Sequence, residues 1–230
     1  MTADIAAPRF DMYRLIHKGL RSLMAETMLA AGAMDVEDDA DRAAVLARVR
    51  GLVAFCRGHL AHEDAYLHTA MEAREPGSTR QAAGDHAEHA HMFDVLEADV
   101  VAVEATLGAA RAEAAHALYC RLAVFVGENF VHMAVEESHN NAVLWRNYSD
   151  AELVAIHDAL LATIPPEDMA QTIRLIAPAA TPAERAAFLS EIRHSAPPPA
   201  FQGVLNLVLS LLKPVDREKL TRDLALPMAA

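Results

Sequence analysis

Between Pro8 and Pro165 the chain holds a single proline, Pro76. Proline interrupts helix interiors, because its ring fixes φ and removes a backbone donor. Two long stretches are therefore free to stay helical. They are filled with alanine, leucine, arginine and glutamate, their apolar residues recur at three and four, and strand-type alternation is absent. From Pro165 onward nine prolines crowd the rest of the chain, so only short helices fit there. The change falls near Tyr148–Ser149 and divides the chain into residues 1–148 and residues 149–230.

The first region reads as four long helices. One runs from about Arg9 to Ala31 and is closed by Gly32. An acidic loop, Asp35–Asp41, leads into a second that ends near Arg74, at the turn Glu75-Pro76-Gly77-Ser78. A third spans about Thr79 to Leu107 with Gly108 at its end, and a fourth about Arg111 to Trp145. The expected fold is all-α: an antiparallel up-down four-helix bundle followed by a C-terminal extension of short helices. In the extension, Ser149-Asp150-Ala151-Glu152 and Thr181-Pro182-Ala183-Glu184 read as capping boxes. Val204–Leu212 is apolar nearly all round and should be buried. These helices are expected to cover one end or flank of the bundle, and they show no repeat, low-complexity tract or catalytic motif.

Composition excludes several classes. At 230 residues and 53% hydrophobic, the chain can bury a real core. A net charge of −12 argues against nucleic acid and anionic membranes as partners. Two cysteines, Cys56 and Cys120, rule out a disulfide scaffold or an all-thiolate zinc site and read as small core residues. No apolar run reaches the roughly 18 residues of a membrane span, and the first residues lack a signal-peptide layout. A cytoplasmic protein is expected.

The 12 histidines are the other unusual feature, ten of them between His17 and His139. A histidine and a carboxylate four residues later share a helix face, since four residues advance it by about 400°. His59/Glu63, His68/Glu72 and His132/Glu136 have that spacing. The stripe Leu52, Phe55, Cys56, His59, Glu63 points the first pair inward, and Leu122, Phe125, Asn129, His132, Glu136 does the same for the last. His68 lies about 900° beyond His59, on the opposite face, so His68/Glu72 is expected to be solvated. On the first helix His17 continues the stripe Tyr13, Leu20, Met24. On the third, His86 and His89 both lead into Phe93, Leu96 and Val100.

Height within the bundle sharpens the choice. Reflection through the turns of an antiparallel bundle predicts a third-helix partner near position 92 from the second helix and about 84 from the fourth. His86 and His89 fall between. Two inward carboxylates and several inward imidazoles at one level would bury unpaired charge at several kcal/mol each, a penalty that a cation removes. Imidazole with carboxylate suits iron, manganese or zinc. Two carboxylates on separate helices can bridge two ions, so a dinuclear iron site is the natural reading, with manganese or zinc as alternatives.

At this point the chain resembles the hemerythrin-like family, also called histidine–histidine–glutamate cation-binding domains. The pattern is met by His17, by His59-Leu60-Ala61-His62-Glu63, by Asp85-His86-Ala87-Glu88-His89 and by His132-Met133-Ala134-Val135-Glu136, over about residues 9–146. The resemblance implies a non-haem di-iron site bridged by two carboxylates and an oxo or hydroxo group. Oxygen carriers of the family have two third-helix histidines four apart, whereas here Asp85 stands four before His89. Their last carboxylate lies five after histidine, which would select Glu137 over Glu136. Both departures look like the bacterial and iron-regulatory branch. Either His86 or His89 serves as third-helix ligand, with Asp85 or Glu88 behind it.

The resulting expectation is a metal set of His17, His59, Glu63, His86, His89, His132 and Glu136, binding or sensing dioxygen, nitric oxide, peroxide or iron itself. A rival reading is a peroxide-consuming or oxidative-repair enzyme on the same site, with Tyr13 or Tyr66 as donors. A third is a metal-stapled bundle whose C-terminal helices form a homodimer or dock a partner. His62 reads as bordering the site, His139 as near the bundle end, and His68, His91 and His116 as surface.

Overall fold

The computed structural model describes residues 9–225, and among them every regular element is helical. Residues 1–8 and 226–230 of the two sequence regions lie outside that range. Helices α1 (Arg14–Gly32), α2 (Asp39–His62) and α3 (Thr69–Arg74) are followed by α4 (Arg80–Ala105), α5 (Gly108–Val135) and α6 (Asn141–Asn147). A π-helical turn, Glu63–His68, joins α2 to α3 without a break, and a second, Glu136–Asn140, joins α5 to α6. Five shorter helices complete the chain: α7 (Asp150–Leu161), α8 (Pro166–Ala179), α9 (Pro182–Ser195), α10 (Pro198–Leu211) and α11 (Pro214–Asp223).

Contacts divide the chain into two compact units. The first holds residues up to Tyr13 and Leu23–Thr163; the second holds Arg14–Ser22 and residues from Ile164 onward. Helix α1 thus contributes a half to each, and α7 groups with the first.

In the first unit α4 packs against both α2 and α5. The inward stripes follow the sequence pattern: Leu52, Cys56, Phe93, Leu96, Val100, Leu122 and Phe125 are buried to 1% exposure or less. The stretch Gly108–Asn147 is long and apolar enough, by length and composition, to cross a membrane, contrary to the expectation from run length. Here it is a core helix, with Asn129, His132 and Glu136 on its buried side.

Helix α1 begins at Arg14, not Arg9, because the backbone just before it is in use elsewhere. Trp145 donates to the Phe10 carbonyl, and Arg9 donates to the carbonyls of Trp145 and Tyr148 and to Asp150. At the α3–α4 turn Gly77 adopts φ +86, which glycine tolerates best. Glu72 accepts from the Gly77 and Thr79 amides and the Thr79 hydroxyl, bonds that hold its carboxyl down to about 2. Cys120, expected in the core, is exposed, whereas Cys56 is buried and its thiol pushed up to about 12 by desolvation and by Glu63.

The second unit has a core of its own. Val204–Leu212 is buried on one face and not all round: Leu205, Val208 and Leu212 lie against Ile173, Leu189 and Leu220, while Asn206 and Ser210 are exposed. The sequence reading found no repeat here, but the structure reveals one. Helices α8, α9, α10 and α11 each open on a proline in the first turn, at Pro166, Pro182, Pro198 and Pro214, a spacing of sixteen. Proline is suited to that position, where its missing N–H costs nothing. Ile173, Leu189 and Leu205 recur at the same interval in one cluster, and α8 packs on α10 as α9 does on α11. Arg185 donates to the carbonyls of Ala177 and Ala180, and Arg217, thirty-two residues on, to that of Leu212. Both arginines satisfy carbonyls left open at the end of the preceding helix.

Both capping boxes form, at Ser149/Glu152 and Thr181/Glu184. Glu184 also pairs with Lys18 at 2.7 Å, joining the first half of α1 to α9 within this unit. At Gly19 a Cβ would come within 3.1 Å of the Leu175 backbone, so the approach of α1 to α8 depends on that glycine. Burial opposes the Glu184 charge, but Lys18 and the Thr181 bonds outweigh it and bring the carboxyl to about 2. A carboxyl depressed on folding stabilises above its unfolded pKa of roughly 4.3, and that contribution is lost as pH falls through the folded value. Glu184→Gln should therefore lower the melting temperature at pH 7 by an amount corresponding to roughly 1 kcal/mol. The gap from wild type should close between about pH 5 and pH 2; thermal denaturation across that range measures it.

Candidate metal centre

Glu63 and Glu136 are the first residues of the two π-helical turns, each four residues after a histidine of the preceding α-helix. They are 2% and 0% exposed. His59 Nε2 lies 3.2 Å from Glu63 Oε1, and His132 Nε2 lies 3.3 Å from Glu136 Oε2. From α4, His86 Nε2 reaches both carboxylates, at 3.5 Å from Glu63 and 3.7 Å from Glu136. Donor atoms of Glu63, His86, His132 and Glu136 all lie within 4.8 Å of one another, and all four residues are buried.

The far side of each ring is held by an aspartate. Asp64 accepts from His86 Nδ1 at 2.8 Å, and Asp85 accepts from His132 Nδ1 at 3.1 Å. A carboxylate behind Nδ1 fixes the proton there and turns the Nε2 lone pair forward, as behind metal-ligating histidines. The two Nε2 atoms face each other at 3.2 Å. Two lone pairs at that distance require a positive charge, either an added proton or a metal ion. Burial pulls the His86 ring down, but Glu136, Glu63 and Asp64 outweigh it and raise it to about 10. Either a proton or a divalent cation meets that demand, and the buried carboxylates favour positive charge there. Bonds of ~2.0–2.2 Å to one ion are compatible with nitrogens this close.

His89, the alternative on α4, is as buried as His86 but is not one of these four. Its ring stands edge-on to His132 at 5.0 Å, and it lines an open cleft of about 340 Å³ together with His132. Burial, then His132 and His86, push His89 down to about 4. His17 is fully buried on α1, in the half of that helix belonging to the second unit. Tyr13 is 1% exposed and accepts from Asn140 at 3.3 Å; burial, Glu136 and Glu63 raise its hydroxyl well above the usual range.

One expectation is overturned. His68 is not solvated: it is 5% exposed, stacks on His86 at 4.8 Å and donates to the Asp64 oxygen that also holds His86. Constant α-helical rotation placed it on the outer face. The π turn adds a residue to the helix without advancing the face, which takes about 100° off the count and returns His68 inward. Its intended partner Glu72 caps the α3–α4 turn instead. His139 lies exposed at the bundle end against the Ser78 carbonyl, and His91 and His116 are exposed as expected. Asp64 was missed altogether, since nothing separates it in sequence from any other surface aspartate.

A bundle of helices converging imidazoles and carboxylates on one buried point defines a metal-binding helical protein. The hemerythrin HHE cation-binding domain model matches residues 10–144. The chain belongs to that family. No curated protein and no solved structure matches it. Replacing Asp64 or Asp85 by asparagine should weaken metal retention about 10- to 100-fold, measured by competition with a chelator of known affinity. Helix content by circular dichroism should stay unchanged.

Proposed function

We propose that the first unit is a non-haem di-iron centre on an antiparallel four-helix bundle and that it binds a small ligand: dioxygen, nitric oxide or peroxide. The observation carrying the reading is the position of His86 Nε2 between two carboxylates that are out of contact with water. His59, Glu63, His86, His132 and Glu136 would hold the ions. Two iron ions in such a site supply reversible coordination and one-electron chemistry to a small molecule. The chain's own part is to keep both carboxylates out of water and to hold the His86 and His132 rings through Asp64 and Asp85.

Iron is favoured over manganese by the richness in nitrogen donors, with zinc left as an alternative, and sulfur is not among the donors: Cys56 is buried with a raised thiol. The net charge of −12 supports a chain that works without nucleic acid or an anionic membrane. Tyr13 supports a second reading, the peroxide-consuming enzyme, because a buried phenol lies in the field of both carboxylates, which together with its burial keep the hydroxyl protonated and so leave a phenolic hydrogen, proton and electron together, as what it would supply.

Metal analysis of protein purified without oxygen decides the first reading. Two iron ions per chain are expected, falling to one or none in Glu63→Ala, with a visible spectrum that changes when nitric oxide is added to the reduced protein. A chain that retains only zinc, or whose spectrum ignores nitric oxide, rejects it. Peroxide turnover that is lost in Tyr13→Phe while both ions remain would establish the enzyme instead.

A further inference from the structure

The buried centre needs an entrance. Glu63, His86, His132 and Glu136 are each 4% exposed or less, so an ion reaching them must pass through the helix packing. Of the four, His132 alone also lines the open cleft of about 340 Å³ between α4 and α5. The cleft's charged groups are all acidic: Asp85 and Glu88 on α4, and Glu128 on α5. Neither lysine nor arginine lines it.

His89 supplies the second observation. It lines the same cleft, is 3% exposed, and its Nδ1 has no hydrogen-bond partner. A buried ring nitrogen left open in this way costs free energy unless something transient uses it. His89 lines the cleft beside the acidic residues, its ring 5.0 Å from that of His132, which belongs to the centre. Asp85, one turn before His89 on α4, also links cleft and centre, since it lines the cleft and accepts from His132 Nδ1.

We propose that this cleft is the loading path for a divalent cation, which is drawn in by Asp85, Glu88 and Glu128 and passed by His89 to His132 and the buried group. The inference rests on the metal reading above. Same-sign charge in a cleft with low-dielectric walls concentrates counter-ions and speeds their arrival by about 10- to 1,000-fold, an effect that salt screens. Neutral dioxygen and nitric oxide gain nothing from such charge, and anions are repelled by it. The acidic lining therefore selects for the metal over the ligand.

The test is the rate at which metal-free protein takes up Fe²⁺ without oxygen, followed by quenching with a chelator and counting retained iron. Wild type should load faster at low salt than at high salt. Glu88→Gln/Glu128→Gln should load about tenfold more slowly, with little salt dependence and the same final iron content. His89→Gln should also be slow and also reach full content. Equal rates in wild type and the double variant overturn the proposal. So does a double variant or His89 variant that ends with fewer ions, because those side chains would then hold metal and not pass it. If wild type retains no iron at all, the metal reading itself fails, a result distinct from a change in rate.

Discussion

A carboxylate removed from water costs several kcal/mol unless charge or hydrogen bonds replace its hydration. Glu63 and Glu136 are two such groups within reach of one imidazole nitrogen, and most of the first unit's polar architecture follows from them. Together with Asp64 they lift His86 to about 10 against its own burial; both add to desolvation in raising Tyr13, and Glu63 does so for Cys56. His89, a little further off, is governed by burial and by its histidine neighbours and drops to about 4. Neighbouring rings on one helix are thus shifted in opposite directions, because only one of them lies between the carboxylates.

The two π turns place those carboxylates. Each begins at the glutamate of an H-x-x-x-E sequence, and each widens the helix just past the point where the side chain must enter the core. Single π turns inside α-helices are rare and recur at functional sites. The effect of the first extends beyond its glutamate. It brings His68 inside to stack on His86, whereas Asn140 in the second, four residues after Glu136, is inward on either count and at 0% exposure donates to Tyr13. Regular α-helix through the first segment would have turned His68 toward solvent.

That phase slip marks where the sequence stops being readable. The inward stripes of α2, α4 and α5, the turn at Pro76–Gly77 and both capping boxes follow from local rules: 3.6-residue periodicity, proline and glycine placement, and a serine or threonine three residues before a glutamate. Those rules assume uniform rotation, so they fail for His68, one turn past Glu63. Burial alone does not separate His86 from His89, because both belong to the inner face. What separates them is the reach of Nε2 to carboxylates on two other helices, a tertiary property. The sixteen-residue repeat escaped notice for a different reason. Its proline positions stand out, but Ile173, Leu189 and Leu205 share only size and apolarity, and their flanking residues differ in charge.

Asp85 and His86 show how one helix can serve two neighbours. Adjacent helical residues point about 100° apart, and α4 packs against α2 on one side and α5 on the other. His86 gives its Nδ1 proton to Asp64, at the end of α2, while Asp85 takes that of His132, on α5. Each neighbour thus depends on α4 for one half of a ring-and-carboxylate pair, and the pairs run in opposite directions. Displacing α4 along its axis would break both at once, leaving His86 and His132 free to rotate and the buried carboxylates without fixed nitrogen donors. The register of α4 is in this sense the geometric variable on which the centre turns, and the apolar stripe Phe93, Leu96, Val100, buried without remainder, is what locks it.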